Sequence, residues 1–239
     1  MEKLISGANR LGLQFETRQL EKFGIYYREL TAWNTRINLT SITGYEEVQV
    51  NHFLDALTVV LIWQPPRRGN NLRVIDIGTG AGIPGVPLKI TFPYLKLALL
   101  ESTAKKVLFL KHLCEQLELD DVEVITGRAE EIAHREQYRE QFELAVSRAV
   151  APLPTLVELT LPFCTTGGRF IAYKKGDINT ELEQARNAIN ILGGRLQGIK
   201  TIDLPEFPDR RCLVGVDKVS STPDKYPRRS GMPSKRPIT

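Results

Sequence analysis

The chain has 239 residues, of which 42% are hydrophobic and 25% charged, a balance typical of a soluble globular protein with one large domain and additions. Its longest apolar run, residues 57–63, is too short to cross a bilayer, and residues 1–10 lack the basic start and apolar middle of a signal peptide. We therefore expect a cytoplasmic protein without a membrane partner. The three cysteines and three histidines are scattered along the chain, which argues against both a disulfide framework and a metal site.

The amino-terminal part of the chain has the periodicity of helices. Residues 17–33 and 45–63 each place apolar side chains every three or four positions, with charged residues between them. Pro65 and Pro66 are expected to end the second of these helices. We predict that residues 1–66 form a helical extension that packs on the main domain.

Two short motifs in this extension combine polar with apolar residues. Asn38–Thr40 and His52–Asp55 are suited either to helix capping or to contact with a substrate. Capping and packing is the interpretation that we favour.

An apolar strand that runs directly into a series of glycines dominates the sequence. Residues 73–77 are predicted to form a strand buried on both faces, and Gly78, Gly80 and Gly82 follow it. The loop fits the G-x-G-x-x-G frame of dinucleotide-binding folds. Asp76 also completes the D-x-G-x-G-x-G motif that resembles methyltransferases dependent on S-adenosylmethionine (SAM). A nucleotide-like cofactor is therefore expected.

An acidic residue closes the second predicted strand, residues 96–100. Glu101 lies 21 residues after Gly80, where it is placed to accept both ribose hydroxyls of an adenosine bound at the glycine loop. A dehydrogenase would share this feature, so Glu101 indicates an adenosine-containing ligand of either class. Lys105 and Lys106 follow in the first turn of a helix, where they oppose the helix dipole, and a substrate phosphate is a reasonable partner for them.

Two further charged residues follow strands three and four. Glu130 comes after the strand at 122–125 and is suited to accept a hydrogen bond from an adenine amino group. Arg148 comes after the strand at 142–146 and should reach the carboxyl edge of the sheet, where ligands of open α/β sheets bind. We favour a functional role for Arg148 over a structural ion pair.

The remaining strands complete an α/β fold. Strands are predicted at 168–173, 194–204 and 211–216, the last two in hairpin-like succession. Seven strands, the first five alternating with helices, predict a doubly wound sheet. We assign this domain to residues 67–217.

The basic residues of the chain are concentrated in its last segment. Residues 218–239 contain six basic residues and one acid, a balance of +5 within a net charge of +4, so residues 1–217 carry −1. The proline-rich composition predicts a surface arm, ordered or disordered. A polyanion is its expected partner, and a merely solvated tail is the alternative.

Five stretches together resemble one bacterial family. They are Asp76–Gly85, Leu100–Leu110, Ser147–Ala149, Tyr173–Gly176 and Lys225–Pro237. They are similar to the RsmG or GidB family, whose members methylate N7 of a guanine in 16S ribosomal RNA of the small subunit. The resemblance covers nearly the whole chain and implies a Rossmann-like fold, SAM as cofactor, and 16S rRNA, in its 530-loop region, or the small subunit as partner. We expect a monomer.

The resemblance also implies roles for individual residues. SAM would be bound by Gly78, Gly80, Gly82, Ile83, Glu101, Ser102, Thr103, Ala129, Glu130 and Arg148. RNA would be contacted by Lys105, Lys106, Lys174, Arg228, Arg229, Lys235 and Arg236. Arg148 would also position the target base at the mouth shared with the cofactor.

The implied chemistry needs no general base. Guanine N7 carries an in-ring lone pair and loses no proton on methylation, so the two reactants need only be aligned. Three alternatives remain open: a SAM methyltransferase acting on a small molecule or protein, a dinucleotide-dependent oxidoreductase, and a non-catalytic RNA-binding protein.

Overall fold

The computed structural model of the chain describes residues 1–64 and 72–239. The helix stop predicted at Pro65 and Pro66, and the domain boundary predicted between residues 66 and 67, lie outside these residues.

One mixed sheet forms the centre of the described structure. Its strands are β1 (Arg73–Ile77), β2 (Lys96–Glu101), β3 (Val122–Thr126), β4 (Phe142–Arg148), β5 (Cys164–Lys175), β6 (Gly194–Ile202) and β7 (Arg211–Lys218). In the described residues these seven strands are ordered β3-β2-β1-β4-β5-β7-β6. The first five pair in parallel, whereas β7 is antiparallel to both β5 and β6. The predicted doubly wound sheet with a terminal hairpin is confirmed, and its strand order reverses between β1 and β4, where such sheets bind ligands.

Helices cover both faces of this sheet. They are α1 (Glu2–Arg10), α2 (Thr17–Asn34), α3 (Tyr45–Val48), α4 (Asp55–Leu57), α5 (Gly85–Thr91), α6 (Ala104–Gln116), α7 (Ala129–Ile132), α8 (Leu153–Thr160), α9 (Asn179–Ile191) and α10 (Met232–Lys235). Among residues 1–64 and 72–239, no helix is both long and apolar enough to cross a membrane.

The predicted helix over residues 45–63 is interrupted. A π-helical segment, Gln49–Leu54, separates α3 from α4, and a 3₁₀ turn follows at Thr58–Leu61. π-Helical turns are rare in proteins, and those that occur are often found at functional sites. Here the wider turn carries Asn51 and His52, whose polar groups face the carboxyl edge of the sheet.

The sheet separates two apolar cores, as the alternation of side chains along β1 requires. Val74 belongs to one core, and Ile75 and Ile77 belong to the other. Phe23 and Leu30 of α2 are completely buried in the same core as Val74. The amino-terminal helices therefore supply part of the main core and hold the π-helical segment against the sheet.

The carboxyl-terminal segment also packs on the domain. The predicted tail starts at Lys218, but β7 continues through this residue, which is completely buried. Its Nζ lies 2.9 Å from both the Leu161 carbonyl oxygen and Glu140 Oε1. Burial lowers the pKa of Lys218, and the hydrogen bond with Glu140 opposes that shift. One of the six basic residues counted in the tail is thus a core charge whose partners come from distant segments.

Candidate active site

The carboxyl edge of the parallel strands brings the predicted cofactor residues together. The glycine loop follows β1, Glu101 ends β2, Gly127 to Glu130 follow β3, and Arg148 ends β4. The carboxyl ends of parallel strands meet at the same edge of a sheet, so these groups become neighbours despite their separation in sequence.

The three glycines of the loop have different structural roles. Gly78, Gly80 and Gly82 have φ angles of +68°, +61° and +91°, a region that favours glycine. A Cβ atom at Gly80 would have only the Gly78 carbonyl oxygen near it, at 3.9 Å, so this position opens on free space. A Cβ atom at Gly82 would lie 2.8 Å from Val86 and 3.1 Å from Tyr26 Oη. Gly82 therefore permits close packing with α2 and α5.

Asp76 fastens the two ends of the glycine loop. Its Oδ2 accepts hydrogen bonds from Thr79 Oγ1 at 2.6 Å and from the Gly85 amide at 2.8 Å. Its Oδ1 is buried and has no hydrogen-bond partner among the described residues. Burial raises the pKa of Asp76 to about 7, while the bonds from Thr79 and Gly85 oppose the rise. Asp76, the acid of the motif, thus fixes the conformation of the loop by bonding to Thr79 and Gly85.

Glu101 joins the glycine loop to the start of α6. Its Oε2 accepts a hydrogen bond from the Gly80 amide at 3.0 Å, and its Oε1 accepts one from the Thr103 amide at 2.8 Å. The side chain is nearly buried. Because each carboxylate oxygen has a second lone pair, Glu101 can still accept two hydroxyl groups.

A narrow cleft of about 90 Å³ lies beside the loop. Its lining includes four of the predicted cofactor residues, Gly78, Ser102, Ala129 and Glu130, and the apolar side chains of Ile77, Leu100, Val150 and Leu159. The apolar walls of the cleft fit the adenosine end of SAM, whereas Gly80 and Glu101 are not among the residues that line it. Ile83 does not line this cleft: it is 5% exposed and packs in the core beneath the loop.

Arg148 is held by the π-helical segment. Its Nη1 donates to the Asn51 carbonyl oxygen at 2.7 Å and to Asp55 Oδ2 at 2.8 Å, and its Nη2 lies 3.1 Å from His52 Nδ1. Asp55 also pairs with Arg211, whose Nη1 lies 2.9 Å from Oδ1 in ion-pair contact without hydrogen-bond geometry. The structural ion pair, which was the less favoured interpretation of Arg148, is therefore present.

His52 is a buried neutral imidazole. Burial and the neighbouring Arg148 charge lower the pKa of His52 to about 4. In the tautomer with the proton on Nε2, Nδ1 accepts from Arg148 and Nε2 donates to Thr40 Oγ1 at 2.9 Å; in the other tautomer, Nδ1 donates to the Asn51 carbonyl oxygen at 3.1 Å. Capping and packing was the favoured interpretation of the motifs that contain Thr40, His52 and Asp55. The structure brings His52 and Asp55 to Arg148, whereas Thr40 contacts His52 and accepts a hydrogen bond from the Ile42 amide. The only sequence signal for this cluster was that two motifs with polar residues, Asn38–Thr40 and His52–Asp55, occur in the same helical extension.

The titration of His52 gives a prediction for stability. The unfolded chain binds a proton at His52 near pH 6.5, whereas the folded chain does so only near pH 4, so this residue destabilises the fold as pH falls between those values. We expect the free energy of unfolding of the wild type, relative to His52→Gln, to fall by up to about 3 kcal/mol between pH 7 and pH 4. Urea denaturation of both proteins across this range measures the difference. Parallel pH profiles would show that His52 titrates as in the unfolded chain.

A larger cavity of about 510 Å³ opens beside Arg148, which is one of its lining residues. Its polar lining includes Thr40, His52, Asp55, Arg148, Lys174 and Lys175. Ala149 lines this cavity and Val150 lines the narrow cleft, so adjacent residues just after β4 face the two spaces. Among the described residues, no group of three or more histidine, cysteine, aspartate or glutamate side chains is arranged to hold a metal.

The residues predicted to contact RNA fall into two groups. Lys105, Lys106, Arg229, Lys235 and Arg236 make no ion pair with the described residues, and all but the half-buried Lys106 are exposed.

The second group is engaged within the chain. Lys174 Nζ donates to Glu181 Oε2 at 2.6 Å and to the Ala151 carbonyl oxygen at 3.0 Å. Arg228 pairs with the completely buried Glu158. The guanidinium of Arg228 thus neutralises a buried acid, and its contact with RNA stays a prediction.

Comparison with known proteins shows to which family the chain is similar. Residues 19–210 match the model of the GidB family, described as rRNA small subunit methyltransferase G. Proteins named ribosomal RNA small subunit methyltransferase G are 47% identical in Dehalococcoides mccartyi strain CBDB1 and 41% identical in Bacillus cytotoxicus. Each alignment spans 238 residues and 100% of this chain, and covers 100% and 98% of the respective relative.

Solved structures share the fold at low identity. A MtNAS mutant in complex with S-adenosylmethionine has a TM-score of 0.54 and 19% identity, over 91% of this chain and 77% of that one. Aeropyrum pernix fibrillarin with bound S-adenosyl-L-methionine has a TM-score of 0.51 and 14% identity, over 68% and 72% of the two chains. These likenesses support the Rossmann-like fold. The full-length matches confirm the resemblance drawn from the sequence: the chain belongs to the GidB family of small-subunit rRNA methyltransferases.

Proposed function

We propose that this protein transfers the methyl group of SAM to N7 of a guanine in 16S ribosomal RNA, acting as a monomer in the cytoplasm. The observation that carries the proposal is that two spaces are lined by adjacent residues just after β4, Ala149 and Val150. One is the narrow cleft beside the glycine loop, and the other is the 510 Å³ cavity at Arg148. A cofactor in the first and a base in the second would bring a methyl donor and an acceptor together, in a chain that belongs to this family.

The residues around the cleft suit the adenosine end of SAM. Gly78, Ser102, Ala129 and Glu130 would line it, and Glu101 would accept the ribose hydroxyls. Gly80 leaves room for a close approach of the ligand to the backbone. When bound, SAM supplies an electrophilic methyl group. The protein itself needs to bind the two reactants, to orient them and to exclude water from the site.

Arg148 is suited to orient the base. A guanidinium has five N–H donors, and the contacts to Asn51, Asp55 and His52 use three of them. The remaining donors can hold guanine O6, which leaves the N7 lone pair free for attack. His52 is neutral near pH 7, so it adds no positive charge beside the reacting groups. Holding both reactants in line can itself lower the barrier by roughly 7 to 11 kcal/mol at best.

The two lysines at the start of α6 supply a test of RNA binding. The double variant Lys105→Ala, Lys106→Ala should weaken RNA binding and reduce the slope of log affinity against log salt by about 2, one for each phosphate that is no longer neutralised. Binding of labelled 16S rRNA at several salt concentrations measures the slope. Lys200→Ala, on the edge strand β6, is the matched control and should leave it unchanged. An unaltered slope in the double variant would remove these lysines from the interface.

Transfer of labelled methyl groups tests the substrate class. The protein is incubated with methyl-labelled SAM and, in turn, with free 16S rRNA, small subunits and whole ribosomes. We expect label in RNA from at least one of the three. Label recovered only in protein or in small molecules would favour the other methyltransferase alternative, and binding of SAM without any transfer would favour a non-catalytic relative.

A further inference from the structure

The carboxyl-terminal segment, residues 222–236, is fastened across α7 and α8, and we call it the C-terminal strap. Arg139 donates to two carbonyl oxygens near its start, those of Thr222 at 2.8 Å and Tyr226 at 2.9 Å. Thr155 Oγ1 of α8 donates to the Pro233 carbonyl oxygen at 3.0 Å. The strap is therefore held at both ends by the domain.

A buried ion pair anchors the middle of the strap. The guanidinium of Arg228 contacts both carboxylate oxygens of Glu158, with Nε 2.9 Å from Oε1 and Nη2 2.6 Å from Oε2. The Arg228 amide also donates to Oε1 at 2.8 Å. Glu158 is completely buried, so it depends on this arginine for neutralisation. A bidentate pair of this kind fixes direction as well as position.

Beyond this anchor the strap reaches the narrow cleft. The Gly231 amide donates to Glu130 Oε1 at 2.9 Å, and Ser230 Oγ donates to Glu131 Oε1 at 3.0 Å. Glu130 lines the cleft and is 8% exposed. Leu159, the neighbour of Glu158 on α8, lines the same cleft. Helix α8 therefore carries both the anchoring Glu158 and Leu159, which lines the cleft.

We infer that the C-terminal strap is part of the cofactor site and that Arg228 is a positioning residue for SAM. Because the Gly231 amide of the strap occupies Glu130 Oε1, Oε2 of the same carboxylate is the oxygen left to accept a hydrogen bond from the adenine amino group. This inference rests on the proposed placement of adenine at Glu130. It gives the strap a role in cofactor recognition that its basic composition does not suggest.

The test compares two ligands that differ at one group. S-adenosylhomocysteine carries the amino group, whereas S-inosylhomocysteine carries an oxygen in its place, so Glu130 should favour the first by about 10-fold in Kd. Calorimetry with both ligands gives this ratio for each variant. Arg228→Ala should lower the ratio about 5-fold without abolishing binding, because a loosened strap leaves Glu130 free to turn away.

Four further variants complete the test, and one of them, Glu130→Ala, should lower the ratio by removing the carboxylate. Thr155→Val loosens the strap without leaving a buried charge and should also lower the ratio, so it serves where Arg228→Ala does not fold. Arg195→Ala removes an exposed positive charge of β6, outside the strap and both cavities, and should keep the wild-type ratio. Adding Arg228→Ala to Glu130→Ala should lower the ratio no further, since the strap acts through that carboxylate.

The outcomes separate the inference from the function. A wild-type ratio in both strap variants, with a lowered ratio in Glu130→Ala, would overturn the inference and leave adenine at Glu130. A wild-type ratio in Glu130→Ala would overturn both the placement and the inference, while methyl transfer to RNA would still stand on its own assay.

Discussion

Replacing Gly78 by aspartate is expected to abolish methyl transfer and SAM binding. Gly78 lines the cleft with a φ of +68°, and a Cβ atom there would lie 2.6 Å from Val150 Cγ2. The substitution therefore adds strain to the backbone, forces Val150 to move, and puts a carboxylate where the apolar cleft receives the cofactor. Calorimetry with SAM and a labelled-methyl transfer assay both measure the loss.

A substitution at a second glycine separates the effect of backbone strain from the effect of a position in the cofactor cleft. Gly12 also has a positive φ, +75°, but a Cβ atom there would have no other atom within 4 Å. Gly12→Asp should thus bear a similar backbone cost, about 1 to 2 kcal/mol, and still bind SAM. If Gly78→Asp methylates RNA at the wild-type rate, the cofactor cleft has been placed wrongly.

Arg148→Ala is expected to lower kcat/KM for RNA by about 10²-fold, the scale of loss that follows from a misplaced reactant. The fold should persist, because Asp55 keeps Arg211 as a partner and no buried acid is left unpaired. Because Arg148 lines the larger cavity and not the narrow cleft, SAM binding should be retained. Transfer kinetics at saturating SAM, together with the Kd of SAM, measure the two effects separately.

Two other arginine variants control for the loss of an ion pair. Arg169 of β5 pairs with Asp217 of β7 at 2.7 Å, and neither residue lines the cleft or the larger cavity, so Arg169→Ala should leave transfer unaffected. Arg148→Lys keeps the charge but cannot bridge Asn51, Asp55 and a base in the same way, so its activity should fall between wild type and alanine. A defect of Arg148→Ala confined to SAM affinity would assign this residue to the cofactor instead of the base.

Local sequence patterns predicted the centre of the fold well. The apolar run before Gly78 is a buried parallel strand, and positive φ angles at Gly78, Gly80 and Gly82 are the property for which such a loop uses glycine. Glu101 and Arg148 were found because parallel strands bring their carboxyl ends to one edge, a consequence of topology alone. These features depend on short segments and on the order of elements.

The features that escaped prediction depend on contacts between distant segments. Asp55 reaches Arg148, 93 residues later in the chain, and the Asn51 side chain accepts a hydrogen bond from Arg211, 160 residues later. No local periodicity reports such pairs, and the π-helical turn that presents Asn51 and His52 has no signal of its own. The basic tail was misleading for the same reason: the acid that neutralises Arg228 lies 70 residues earlier.

Identification of the methylated nucleoside tests the central claim most directly. Small-subunit RNA labelled by the protein is digested to nucleosides, and the labelled product is compared with authentic standards by mass spectrometry. Two spaces lined by adjacent residues just after Arg148, one proposed for the cofactor and one for the base, predict in a chain of this family that the label is in 7-methylguanosine and that Arg148→Ala lowers its yield. Label in any other nucleoside, or none in RNA at all, would contradict the assignment.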